Sequence, residues 1–168
     1  MSIVSLLHGL TRSTPKPGVR RAFTFEAPLP APAERVFPLL CPIREEAWIE
    51  GWRASVVHSK SGVAEDNAVF ETRLWSRETW ITSRYEPDAL RVEYAIVSGR
   101  HATLRLDLAL LAEAGDRCRL RITRTYTGVD LPGRAKVRAL TDAQVRSEDA
   151  LLAAQLSHYL RTGEMLRR

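Results

Sequence analysis

The sequence predicts an α+β chain in which a long C-terminal helix lies across a curved antiparallel sheet of about seven strands, with two short helices after the first strand. Three observations carry this. Residues 90–127 alternate apolar and polar side chains over three successive runs separated by short turns, the period of half-buried strands. Residues 141–162 switch to a helical period with a capping signal at one end and a glycine at the other. Proline-rich breaks between residues 26 and 42 leave room only for short helices.

In chain order, Ser13-Thr14-Pro15-Lys16-Pro17-Gly18 resists regular structure. Residues 1–18 read as a flexible arm, with room for an amphipathic turn at 3–10 that docks on the body. Residues 20–26 alternate, with Arg21, Phe23 and Phe25 on one side, and form the first strand. Pro28, Pro30 and Pro32 break it. Pro32 then opens a short helix over 33–41, which Pro38 disturbs, and Pro42 restarts the chain into a second over 43–49. Strands follow at 53–60, 68–74, 79–85, 90–97, 102–111 and 117–127, and turns this short indicate sequential hairpins.

The last three strands set out their faces plainly. Leu90, Val92, Tyr94 and Ile96 share one side, as do Leu104, Leu106, Leu108 and Leu110, and then Cys118, Leu120, Ile122, Arg124 and Tyr126. The opposite side is mostly charged or hydroxylated, so one face is covered and the other meets water. Thr141 with Gln144 has the form of a capping box. Val145, Asp149, Leu152, Leu156 and Leu160 fall near one line of the following helix, and Gly163 is a natural stop. The segment 163–168 is a short basic tail.

Composition excludes several function classes. The 168 residues, 45% of them hydrophobic, suit one core-forming domain. No apolar run approaches the ~18 residues of a membrane-spanning helix, so no integral membrane segment is expected. Residues 2–10 are too short and broken for a secretory signal, and a cytoplasmic location follows as the default. Cys41 and Cys118 make no disulfide framework and read as buried small hydrophobes.

The net charge of +5 is concentrated at the ends: residues 1–21 carry +4 and 161–168 carry +2, leaving −1 for the body. Without a basic stripe on the body, nucleic acid is not an expected partner. His8, His58, His101 and His158 never approach metal-ligand spacing, and neither a glycine-rich phosphate loop nor a nucleophile elbow is present. No metal and no cofactor are expected.

The element order resembles the helix-grip fold of the START-like, or SRPBCC, superfamily over residues 19–162, which it implies form one domain. Local stretches are similar to a bacterial subgroup without an assigned reaction: Cys41-Pro42-Ile43-Arg44-Glu45-Glu46-Ala47-Trp48-Ile49-Glu50-Gly51-Trp52, Ser61-Gly62-Val63-Ala64-Glu65, Val69-Phe70-Glu71-Thr72, Thr79-Trp80-Ile81-Thr82-Ser83-Arg84-Tyr85, and Tyr159-Leu160-Arg161-Thr162-Gly163-Glu164-Met165-Leu166. The resemblance implies a cavity between the last helix, the sheet and the short helices, holding a small hydrophobic molecule.

Polar groups on the covered faces are then the informative ones. Arg124 and Asp149 lie on apolar faces of the last strand and last helix. They pair across the cavity, or Arg124 holds a ligand carboxylate or enolate, or both are solvated at the open end. Tyr85, Tyr94 and Tyr126 offer hydroxyls to a ligand or serve as core and rim. Tyr85 faces inward in the register where residues 75–78 turn and 74 pairs with 79, which also places Phe70, Thr72, Leu74, Ile81 and Ser83 inside and Trp80 outside. Trp48 and Trp52 wall the cavity mouth or fill core beneath the helices, and Leu152 supplies apolar lining. Adjacent Glu45 and Glu46 point about 100° apart on a helix, so they form no facing acid/base couple.

The expected function is binding of a small hydrophobic or aromatic ligand. The alternative is a cyclase or hydratase acting on a polyketide-like carbonyl substrate, with a tyrosine or the Arg124–Asp149 pair handling protons. A third reading is an interaction module with a filled interior. Oligomeric state is not readable from these residues.

Overall fold

The structure is a computed structural model that describes residues 18–74 and 76–167. The expected arm at 1–18 therefore falls, except for Gly18, outside the described residues, as does the turn at 3–10.

Strand β1 (Arg20–Leu29) leads into helix α1 (Ala33–Val36), a 3-10 turn at Phe37–Leu40 and helix α2 (Pro42–Glu45). Six strands follow: β2 (Arg53–His58), β3 (Val69–Arg73), β4 (Arg77–Glu86), β5 (Arg91–Ser98), β6 (Ala102–Glu113) and β7 (Arg117–Gly128). Helices α3 (Leu131–Ala139) and α4 (Asp142–Thr162) complete the order. The sheet runs β1-β7-β6-β5-β4-β3-β2, with every neighbour antiparallel. The α+β architecture read from the sequence is the observed one, a seven-stranded curved sheet gripped by a C-terminal helix.

Several elements differ from expectation, each for a local reason. β1 continues through Pro28, which pairs with Arg119; as an edge strand, β1 has a side on which a missing N–H costs nothing. The second short helix spans one turn rather than 43–49. Beyond it the chain stays coiled in single bonds, from Trp48 N to Glu45 O (3.1 Å) and from Trp52 N to Ile49 O (3.2 Å).

Helix α3 was not anticipated, because Leu131-Pro132-Gly133 looks like a breaker. Asp130 instead caps it, accepting from Gly133 N at 2.9 Å, and the proline sits in the first turn, where its missing N–H is harmless. Gly133 is needed there: a Cβ would stand 1.7 Å from the carbonyl oxygen of His101.

The β3–β4 register is the main correction. Arg73 pairs with Arg77 and Phe70 with Trp80, so Trp80 is buried and Ile81 is exposed, the reverse of the expected faces. A bulge between Thr82 and Arg84 then shifts the strand by one residue and returns Tyr85 to the inner side opposite Val92. Leu90 precedes β5 rather than belonging to it, held at φ 50° as the end of a 3-10 turn at Pro87–Ala89, yet it still packs on the core.

The outer face carries cross-strand ion pairs: Arg91 with Asp107, Arg105 Nε to Glu93 Oε2 at 3.3 Å, and Arg121 Nε to Glu26 Oε1 at 2.6 Å. Pairs of this kind are modest contributors at the surface. Helix α4 begins with the expected capping box, Thr141 Oγ1 accepting from Gln144 N at 3.2 Å and Thr141 N donating to Gln144 Oε1 at 3.0 Å. It ends at Gly163, whose φ of 74° suits glycine. Val145, Asp149, Ala153, Gln155, Leu156 and Leu160 are its buried positions. Among the described residues, no helix is long and apolar enough to cross a membrane.

Candidate functional site: a cavity beneath the C-terminal helix

Between α4, the inner face of the sheet and the segment 40–52 lies a cavity of about 590 Å³. Its floor is Leu104, Leu106 and Leu108 of β6 with Leu120 and Ile122 of β7, the alternating positions of two neighbouring strands. One wall is built by the coiled segment after α2, which contributes Trp48, Ile49 and Trp52, joined by Trp80 from β4. The roof is Leu140 and, from α4, Leu151, Leu152 and Gln155. A volume of this size accommodates a small organic molecule.

All three indoles of the wall are buried and fixed. Trp48 Nε1 donates to Leu39 O at 3.0 Å and Trp52 Nε1 to Pro42 O at 2.8 Å. Trp52 and Trp80 meet edge to face with centroids 5.4 Å apart, and Trp80 Nε1 donates to Glu78 Oε2 at 3.1 Å.

Arg124 and Asp149 do meet. Arg124 Nε donates to Asp149 Oδ1 at 2.7 Å, with side chains 13% and 1% exposed. Arg124 lines the cavity and Asp149 stands behind it. Burial pushes the Asp149 carboxyl above its usual range while Arg124 pulls it back, and its Oδ2 has no hydrogen-bond partner. Burial opposes the Arg124 charge, and the adjacent carboxylate more than offsets it. The pair is interior, so the solvated reading of it fails.

Five of the eight candidate residues line the cavity: Trp48, Trp52, Arg124, Tyr126 and Leu152. Asp149 acts on it only through Arg124. Tyr94 is fully buried and donates its hydroxyl to Leu40 O at 3.0 Å, tying β5 to the 3-10 turn. Tyr85 stacks near Phe37, centroids 5.5 Å apart, beside a separate cleft of about 70 Å³.

Glu45 is the residue that the sequence reading passed over. It closes α2, is 5% exposed and lines the cavity; its backbone groups bond to Cys41, Trp48 and Ile49, while its carboxyl makes no hydrogen bond among the described residues. Burial raises its carboxyl to about 8, with the Arg124 charge acting in the opposite direction. The signal was present: Glu45, Trp48, Ile49 and Trp52 recur at i, i+3, i+4 and i+7, so Glu45 shares the apolar stripe of that segment. Among the described residues, no cluster of His, Cys, Asp or Glu is arranged to hold a metal ion.

No protein-family model matches the chain, and no curated protein matches it by sequence. Solved structures do. The chain is similar to the di-domain ARO/CYC BexL from the BE-7585A biosynthetic pathway, with TM-score 0.67 and 16% identity, over 84% of this chain and 46% of that one. It is similar to norcoclaurine synthase from Thalictrum flavum in complex with dopamine and hydroxybenzaldehyde, with TM-score 0.62 and 10% identity over 85% and 87% of the two chains. DynU16, from the dynemicin biosynthetic locus, gives TM-score 0.62 and 18% identity over 85% of this chain and 48% of that one. The chain thus spans about half the length of BexL and of DynU16. The class that fold and cavity define is the helix-grip protein. That is the fold which the resemblance to START-like, or SRPBCC, sequences implied.

Proposed function

We propose that this protein binds a small hydrophobic or aromatic molecule in the cavity beneath α4. The carrying observation is the cavity itself, about 590 Å³ with a leucine floor, an indole wall and a minority of polar groups. Such a space is the usual form of a site for an apolar ligand with a small number of polar anchors. The anchors are Arg124, Glu45 and Tyr126; Trp48, Trp52 and Leu152 supply contact surface. Tyr94, Tyr85 and Asp149 act behind the wall, holding its shape. The norcoclaurine synthase complex, with two small aromatic molecules, supports the same use of the fold. The reading places the protein in the cytoplasm, without a nucleic-acid partner or cofactor.

Native mass spectrometry of freshly purified protein, followed by calorimetric titration with an aromatic alcohol, tests this. A bound small molecule or one-to-one binding is expected, and Leu152→Trp, which puts an indole into the space, should abolish it. Absence of both a co-purified molecule and any titratable binding rejects the reading.

A second reading is favoured by one observation. A carboxyl poised near 8 beside a guanidinium suits proton transfer at neutral pH, as a cyclase or hydratase acting on a polyketide-like carbonyl substrate would need. The likeness to an ARO/CYC supports the same alternative. Turnover of a poly-β-carbonyl substrate that is lost in Glu45→Gln would establish it, and its absence would leave binding alone.

A further inference from the structure

We propose that the ligand of this cavity is an organic cation: an amine on an aromatic or apolar body, its ammonium set against Glu45 and its body against the indoles of Trp48, Trp52 and Trp80. The proposal rests on the binding reading above and specifies the chemistry of the ligand.

Three features lead to it. All three indole N–H groups are already engaged, with Leu39 O, Pro42 O and Glu78. What they offer a ligand is ring surface, which attracts cations. Second, the Glu45 side chain lines the cavity and its carboxyl makes no hydrogen bond among the described residues, so it is open to a ligand group that would pair with it.

Third, Glu78 and Glu148 line the cavity together with Glu45, and the guanidinium among its lining residues, Arg124, is already held by Asp149 at 2.7 Å. An anionic ligand would enter past carboxylates towards a cation that already has its counter-ion. An ammonium enters down the same field.

The arrangement has a protonic signature. With Glu45 near 8, about nine carboxyls in ten are protonated at pH 7, so binding an ammonium expels close to one proton. The groups facing Glu45 from neighbouring elements are Arg124 on β7, Tyr94 on β5 and Cys41 before α2. Burial raises the Tyr94 and Cys41 groups, so both stay neutral below pH 8 while Arg124 stays charged. A pH dependence between 6.5 and 7.5 therefore belongs to Glu45.

The test uses three probes of one skeleton: 2-(1-naphthyl)ethylamine, 2-(1-naphthyl)ethanol and 1-naphthylacetate. Each is titrated calorimetrically at pH 6.5 and 7.5 in two buffers of different ionisation enthalpy. The amine should bind at least about tenfold more tightly than the alcohol and far more tightly than the acid. Its affinity should rise about eightfold between the two pH values, with nearly one proton released near pH 7. In Glu45→Gln the amine-to-alcohol affinity ratio should fall about tenfold. Acid binding that equals amine binding, absence of proton release, or an unchanged ratio in the variant overturns the proposal while alcohol binding leaves the cavity reading standing. Failure of all three probes overturns both.

Discussion

Replacing Glu45 by glutamine should make the protein more stable, by an amount set by pH. The glutamine amide is close in shape to the protonated carboxyl and cannot ionise. In the wild-type fold the carboxyl titrates near 8, against an ordinary value of 4.5, because burial penalises its charge. Between those values the folded chain binds a proton that the unfolded chain has released, so wild-type stability falls as pH rises. The favourable share of the neutral carboxyl is fully present below about 4.5 and lost as pH climbs through 8. The slope is about 1.4 kcal/mol per pH unit, and the whole interval amounts to about 5 kcal/mol. Urea unfolding of both proteins at pH 5, 6, 7 and 8, at constant m, isolates this group because other titrations cancel in the difference. The variant's advantage should be small at pH 5 and about 3 kcal/mol larger at pH 7. A difference that does not change with pH would mean that Glu45 reaches water in the folded chain, and would refute the reasoning.

Other outcomes follow from the same interior. Arg124→Met should cost about 3–5 kcal/mol in urea unfolding, because it leaves Asp149 buried without its partner. The double variant Arg124→Met with Asp149→Leu should recover most of that loss, which a double-mutant cycle reads directly. Gly133→Ala should lower the melting temperature sharply, by an amount equivalent to about 3 kcal/mol or more, since its Cβ meets the His101 carbonyl at 1.7 Å. Tyr94→Phe should cost about 1–2 kcal/mol through the orphaned Leu40 carbonyl, read by urea unfolding.

Local chemistry was legible in the sequence. The capping box at Thr141 and Gln144, the stop at Gly163 and the faces of β6 and β7 involve residues close together in the chain, and all are observed. The β3–β4 hairpin was misread because register depends on where the turn falls, and a shift of odd length exchanges the faces. That error hid Trp80, while the bulge before Arg84 happened to keep Tyr85 inside. Helix α3 depends on Asp130 capping and on clearance against His101, a tertiary fact that no local pattern carries. Arg124 and Asp149 stood out as charges on apolar stripes. Glu45 stood on such a stripe too, but comparison with its neighbour Glu46 drew attention to the wrong relation.

The pairing of β1 with β7 bears on how the molecule is made. Arg20 lies opposite Thr127 and Leu29 opposite Cys118, so the first strand has no hydrogen-bonded neighbour until the last has been synthesised. Strands β2 to β6 form consecutive hairpins as they emerge, whereas β1 waits. Closure of so long a loop is slow. Glu45 and the two tryptophans after it sit within that loop, and Arg124 on the strand that closes it. The cavity is therefore complete only once β7 has closed the sheet on β1.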